Sequence, residues 1–329
     1  MPATILGDRA CGKTTFLALL YTAQIKYSND KENKDNFRYW ISPATTSFMG
    51  NLYGNLITGT WPDSTVKGQK VKVHFLYGFK KFGGDLYPDW IIKRDLKNPF
   101  FTMNFSVVDV AGEDVTELTE TPDGVFYEGL PDEMRKLLDS KVLVILLDVS
   151  KITDDPKSDE FKDLVRYDTR TAALISAIAE YNSKEKNHKL RRIFPVFVLT
   201  KFDMIDENLL TKMGLSRKFP SMKKPKSRKK FAEKILHDCF RQTLALIRGG
   251  QLKKVSFDDA YYAMSFVNTA FDKHGMPSPV VKKRKKGAEI AVDYSYDEYR
   301  GLINHFRTIV KQMPDKVLDE QELGKVKEK

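Results

Sequence analysis

The chain has 329 residues, 41% of them hydrophobic, enough for one large core, and a net charge of +11. No apolar run is long enough to cross a bilayer, no signal peptide is visible and the two cysteines, Cys11 and Cys239, make no disulfide framework, so a cytoplasmic protein is expected. The positive charge is concentrated: Arg217 to Lys230 holds eight basic residues and no acidic one, Lys282 to Lys286 holds five more, and the rest of the chain sums to −2.

In chain order, Pro2 to Leu6 reads as a short apolar strand followed by the loop Gly7 to Thr14. Thr15 to Tyr27 then reads as a helix with Phe16, Leu19, Leu20 and Ala23 on one face. Phe37 to Ile41 suits a strand, and Thr46 to Thr58 has the spacing of an amphipathic helix at Phe48, Leu52, Leu56 and Ile57. Alternation in Val71, Val73 and Phe75, and again in Met103, Phe105 and Val107, predicts an antiparallel pair joined by a long connection, Gly78 to Pro99. Pro131 to Ser140 reads as a helix, Val142 to Leu147 as a buried strand, Asp159 to Asn182 as a long helix and Ile193 to Leu199 as another buried strand. Lys229 to Arg248 reads as one helix, Tyr261 to Val267 as a strand and Ser295 to Gln312 as a final helix. Strands alternating with helices predict an α/β fold: a mostly parallel sheet with one antiparallel edge strand and helices on both faces. The expected organisation is one domain over 1–313, with insertions at 78–99, 204–228 and 268–294, and a charged tail over 314–329.

Three stretches carry chemistry. Gly7-Asp8-Arg9-Ala10-Cys11-Gly12-Lys13-Thr14 fits the phosphate-loop pattern G-x-x-x-x-G-K-[ST] at every fixed position, between a strand and a helix that continues through Thr15. In that pattern the glycines let backbone N–H groups converge on phosphate oxygens, Lys13 supplies a point charge, Thr14 offers a hydroxyl to Mg²⁺, and the helix directs its positive end at the same anion. Second, the apolar run Phe105 to Val108 ends in Asp109-Val110-Ala111-Gly112. Asp109 there can hold Mg²⁺ through water, and the Gly112 N–H can bond a γ-phosphate. Third, Pro195 to Leu199 ends in Thr200-Lys201-Phe202-Asp203. The Asp203 carboxylate can accept from the ring N–H and the exocyclic amine of guanine, a donor pair that adenine lacks, while the Lys201 stem lies over the ring.

These three stretches, in this order, resemble the motifs of Ras-like GTPases of the translation-factor-related (TRAFAC) class. The resemblance implies a Mg²⁺-dependent GTP/GDP switch that works with a regulatory or effector protein. The fifth motif of that family, usually Ser-Ala, would fall at Ser265-Phe266. The Mg²⁺-binding threonine of the first switch is assigned to Thr65, with Thr60 behind it. Trp61-Pro62 followed by Thr65 resembles the bacterial and archaeal double-GTPase branch.

Two positions depart from the family. Glu113 stands where a glutamine usually orients the attacking water. Glutamate can accept from water but cannot donate to phosphate, so it is either a base or a mark of slow turnover. Arg9 stands where glycine is common, and it either reaches the phosphates from within the chain, obstructs a partner's arginine or points to solvent. The catalytic set is then Lys13, Glu113 and Arg9. The basic stretches Arg217–Lys230 and Lys282–Lys286 are open to three readings: contact with nucleic acid, contact with an anionic membrane surface, or solvated loops. A nucleic-acid-associated ATPase is the alternative that those stretches favour and Asp203 opposes. A GTP-binding module with negligible hydrolysis is the alternative that Glu113 favours.

Overall fold

The computed structural model describes residues 3–8, 10–30, 37–41, 43–62, 72–80, 100–108, 138, 140–184, 191–252, 255–271, 274–283 and 290–312. Its centre is a run of parallel strands: β1 (Ala3–Gly7), β5 (Val142–Asp148), β6 (Arg191–Thr200) and β9 (Tyr261–Ser265), with β6 also pairing β8 (Val255–Phe257). β7 (Gln251–Leu252) joins β8 antiparallel and closes that edge. A three-stranded antiparallel sheet is made by β2 (Phe37–Ile41), β3 (Lys72–Lys80) and β4 (Phe100–Val108), and β4 runs beside β1. The antiparallel pair expected around 71–75 and 103–107 is therefore present, and its first arm extends to Lys80.

Strand alternation divides the core in two. Val142, Val144 and Leu146 of β5, with Val196 and Val198 of β6, point to the layer formed by α1 (Lys13–Asn29), α2 (Pro43–Ile57) and α7 (Tyr296–Gln312). Leu143, Ile145 and Leu147, with Phe197 and Leu199, point to α3 (Asp159–Lys184), α5 (Pro225–Leu236) and α6 (Arg241–Arg248). Every residue of β5 is buried, which is why the strand reads as a continuous apolar run without alternation. A short helix, α4 (Glu207–Lys212), follows the stretch Thr200–Asp203. Two hairpins, β10 (Thr269–Phe271) with β11 (Pro277–Pro279) and β12 (Val281–Lys283) with β13 (Ile290–Val292), fill the stretch expected as an insertion.

One expectation is corrected. Lys229 to Arg248 is not one helix: α5 ends at Leu236 and α6 begins at Arg241. The break has a tertiary cause. Asp168 of α3 accepts from the N–H groups of Gln242 (2.8 Å) and Thr243 (2.9 Å) and so caps a new helix, while Phe240 is driven into the core. The start of α5 also moves back to Pro225, so the second half of the basic stretch is helical and not loop.

An ion pair holds α5 and α7 to β9. Arg228 is 4% exposed. It donates to both carboxylate oxygens of Glu298 (3.1 and 2.5 Å) and to the carbonyls of Pro220 and Tyr262, and lies over the Phe219 ring. Glu298 also accepts the Met264 N–H at 3.0 Å. Removing one partner strands a buried charge, so Glu298→Ala should cost about 3–5 kcal/mol in chemical denaturation. The double change Arg228→Met/Glu298→Leu should recover part of that loss, with the Met264 N–H still unpaired.

Candidate functional site

β1, β5, β6 and β9 point the same way and end at one rim. Asp148 sits opposite Thr200, and Thr200 opposite Ser265, while Gly7 lies beside Leu146. The loop that leaves β1 turns tightly on glycine. A Cβ on Gly7 would come within 2.5 Å of Cys11 Sγ, 3.1 Å of Lys13 Cγ and 3.3 Å of Leu146 Cβ, so no side chain fits there. Ala10 (φ 60°) and Gly12 (φ 89°) adopt the left-handed conformation that curls the loop. Gly12 is the N-cap of α1 and supplies no side chain. The first bond within the helix runs from Phe16 N–H to Gly12 O, so the amides of Lys13, Thr14 and Thr15 lie ahead of the helix's own ladder. The Lys13 ammonium folds back over the loop, donating to Gly7 O at 2.7 Å and Asp8 O at 3.0 Å. Lys151 lies 3.9 Å from the Asp8 carboxylate.

Cys11 is the floor of this loop. Its thiol is 1% exposed and burial pushes its pKa up to about 11, which keeps it protonated and unreactive at neutral pH. Its carbonyl lies 2.7 Å from the Thr200 hydroxyl, which is also 3.0 Å from Leu147 O. Thr200 thus joins the phosphate-loop pattern to the end of β6.

Beyond Thr200 the chain turns through Lys201, a non-glycine residue at φ 53°. Such a conformation is strained and is held by its surroundings. The Lys201 ammonium donates to Asp148 Oδ2 at 2.6 Å, and the other oxygen of Asp148 accepts from the Ser150 N–H (3.1 Å) and hydroxyl. Asp148 is 3% exposed. In the sequence it reads only as the polar end of an apolar run. The signal that could have found it is a carboxylate closing a buried strand, one strand away from a lysine that follows another. Phe202 packs on Phe219 and Phe231, and Asp203 follows in a 3₁₀ turn. Burial pushes the Asp203 carboxyl up from its ordinary value, partly offset by hydrogen bonds from its own backbone and from Thr269 and by the nearby positive charges of Arg217 and Lys201. The Thr269 hydroxyl lies 3.4 Å from Asp203 Oδ2.

Ser265 and Phe266 are engaged elsewhere. The Ser265 hydroxyl is 2.6 Å from the Tyr299 hydroxyl in the core, and the Phe266 N–H donates to Ser295 Oγ at 3.1 Å. The polar side chain that reaches Asp203 from this part of the chain is Thr269, four residues after Ser265, and sequence spacing gives no hint of it. Thr60 closes α2, its hydroxyl 3.0 Å from Asn55 O. The Trp61 indole donates to Pro277 O at 2.9 Å, tying the segment after α2 to the hairpin that carries Thr269. Arg9, Thr65, Asp109, Gly112 and Glu113 lie outside the described residues, and β4 ends at Val108, immediately before Asp109. Among the described residues no group of three or more His, Cys, Asp or Glu is placed to hold a metal, and no helix is long and apolar enough to cross a membrane.

The site therefore brings together backbone amides at a helix start, an ammonium over the loop, and a half-buried carboxyl one short turn away. Such a set can receive an anion at one end and a paired N–H donor at the other.

No protein-family model and no curated protein matches the chain. Among solved structures it is similar to the signal recognition particle receptor SRb-GTP/SRX complex from Chaetomium thermophilum, at 13% identity over 80% of this chain and 90% of that one, with a TM-score of 0.33. It is also similar to the S. cerevisiae Ski7 GTPase-like domain, at 12% identity over 97% of this chain. The TM-score is 0.32 for the form bound to GDP and inorganic phosphate and 0.30 for the form bound to GTP. The chain spans about half the length of the Ski7 chains, 52%. Superpositions this loose carry neither a residue correspondence nor a ligand across.

The raised pKa of Asp203 has a consequence for stability. Between its ordinary value and its folded value the native state binds more protons than the unfolded chain, so this carboxyl lowers stability as pH rises through that window and is a net cost at neutral pH. Asp203→Asn should therefore raise the melting temperature of the protein at pH 7. The gain should vanish at a pH low enough to protonate the parent carboxyl, as differential scanning calorimetry at the two pH values would check.

Proposed function

We propose that this chain is a guanine-nucleotide switch that binds GTP and GDP and hydrolyses GTP slowly with Mg²⁺. The observation that carries the reading is the Thr200–Cys11 bond, which ties the phosphate-loop pattern to the strand that delivers Lys201 and Asp203. In this reading, residues 1–313 are one nucleotide-binding domain. The amides at the start of α1 and the Lys13 ammonium take the phosphates, exchanging the carbonyls of Gly7 and Asp8 for phosphate oxygens. Asp203 accepts from guanine, whose two donors relieve a carboxylate that burial disfavours, and Thr269 holds one of its oxygens. Lys201, fixed by Asp148, lays its stem along the base. The Phe266 N–H, bonded to Ser295, is not available to guanine without a rearrangement.

The donor set suits Mg²⁺ only in company with a nucleotide: Thr14 offers one hydroxyl at the start of α1, and Mg²⁺ commonly completes its shell with phosphate oxygens and water. Thr14, with Asp109 and Thr65, would hold the ion, which would neutralise phosphate charge. Gly112 would sense the γ-phosphate, and Glu113 and Arg9 would set the hydrolysis rate. Glu113 also favours a second reading, a GTP-binding module with negligible turnover.

Isothermal titration should give much tighter binding for GTP and GDP than for ATP and ADP, and equal affinities would sink the guanine assignment. Lys13→Ala should weaken binding about 10- to 100-fold, the range expected for a charged hydrogen bond. Guanine affinity should fall as pH drops through the raised pKa of Asp203, because a protonated carboxyl cannot accept from both donors. Asp203→Asn should shift preference toward xanthine nucleotides. Single-turnover assays of the parent and Glu113→Gln separate the two hydrolysis readings. A faster variant marks Glu113 as a brake, a slower one marks it as a base, and no turnover by either favours the module.

A further inference from the structure

The fold sorts the charges of the Arg217–Lys230 stretch into two sets. Three are paired: Arg228, buried, with Glu298, and nearer the surface Arg217 with Glu207 (3.2 Å) and Lys229 with Asp259 (2.7 Å). Lys218, Lys223, Lys224, Lys226, Lys230 and, one turn further, Lys234 are all exposed, and none forms an ion pair among the described residues. Three of them, Lys226, Lys230 and Lys234, stand at i, i+4 and i+8 along α5 and form a row about 12 Å long. The opposite face of α5 is apolar and turned inward through Phe231, Ala232, Ile235 and Leu236. In the second basic stretch Lys282 is paired with Asp293 at 2.6 Å, and 284–286 lie outside the described residues.

Exposed like charges with no counter-ion repel one another. Here they also crowd the N-terminal end of a helix, where cations are disfavoured and no acidic residue stands in the first turn. A polyanion laid across the row would relieve both costs. Two features decide which polyanion. The large hydrophobic side chains exposed among the described residues are Trp61, Met204, Phe271 and Met276, and none belongs to α5 or to the turn before it. A helix that lies on a membrane buries an apolar face in it, and the apolar face of α5 is already in the core. Nor does the face carry an exposed aromatic ring on which unpaired bases would stack. Bare ammonium groups in a row suit a regularly spaced phosphodiester backbone, whose charges they neutralise without reading sequence.

We propose that the exposed lysine face of α5 and the turn before it binds the backbone of a double-stranded nucleic acid, without sequence preference. The proposal does not depend on the guanine reading.

The test uses the full chain and fluorescence anisotropy with a labelled duplex, as DNA and as RNA, over a range of salt. The parent should bind, with affinity falling steeply as salt rises. Lys226→Ser/Lys230→Ser/Lys234→Ser should weaken binding about 10- to 100-fold at low salt and flatten the slope of log K against log salt by about 2–3, close to 0.9 for each phosphate that is no longer neutralised. A control that removes the same charge elsewhere, Lys157→Ser/Lys162→Ser/Arg166→Ser around the start of α3, should change both far less. All six positions are exposed, and unchanged circular dichroism and unchanged melting verify that each variant folds. Equal losses from the two triple variants would mean that net charge alone drives binding, and would overturn the site. So would a parent that binds neither duplex, or one that binds vesicles containing phosphatidylserine and no duplex.

Discussion

One hydroxyl group holds the candidate site together. Thr200 Oγ1 lies within bonding distance of Cys11 O and Leu147 O, so three chain segments converge on it: the loop after β1, the end of β5 and the end of β6. The convergence depends on the missing side chain at Gly7, because the loop can press against Cys11 and Leu146 only where no Cβ intervenes. The same close approach buries the Cys11 thiol and explains why a cysteine in this loop is inert. The amides at the start of α1 and the stretch Thr200–Asp203 are thus positioned by one joint and not by separate scaffolds.

Charge around this joint follows burial. Asp148 is buried but fully partnered, by Lys201 and by Ser150. Asp203 is less buried and less well satisfied, with a hydroxyl at 3.4 Å as its partner across the site. A carboxyl left short of donors costs stability when it is ionised, which is the sense of the raised pKa of Asp203. The left-handed Lys201 between the two aspartates belongs to the same pattern of local cost at a site held by its surroundings.

The periphery is built by tertiary contacts that reach far along the chain. Asp168 starts α6 from 74 residues away, Arg228 and Glu298 bridge 70 residues to hold α5 and α7 on β9, and Trp61 reaches 216 residues to Pro277. Phe202 packs on Phe219 and Phe231, so α5 and its lysine row are anchored to the element that carries Asp203.

Local pattern alone is enough for the order and type of most elements. Val142 to Leu147 and Ile193 to Leu199 are uninterrupted apolar runs because both faces are covered, α1 follows a glycine loop, and the period-two stretches around 71–75 and 103–107 pair as expected, within strands that run further than the alternation. The loop Gly7–Thr14 and the stretch Thr200–Asp203 stand out in the sequence because each is a pattern of fixed residues at short spacing. What local pattern misses depends on distance in sequence: the break between α5 and α6, the partnership of Asp148 with Lys201, and the approach of Thr269 to Asp203. Ser265 illustrates the point, since its place at the end of β9 suits the site but its hydroxyl bonds to Tyr299 of α7. The same holds for charge. The eight basic residues of Arg217–Lys230 look alike in the sequence. Tertiary packing separates them: Arg228 of α5 is buried against Glu298, Arg217 and Lys229 pair with Glu207 and Asp259 nearer the surface, and the lysines on the outer face have no acidic partner among the described residues. Composition sets how much charge a segment carries, but pairing is decided by which side chains the fold brings within a few ångströms.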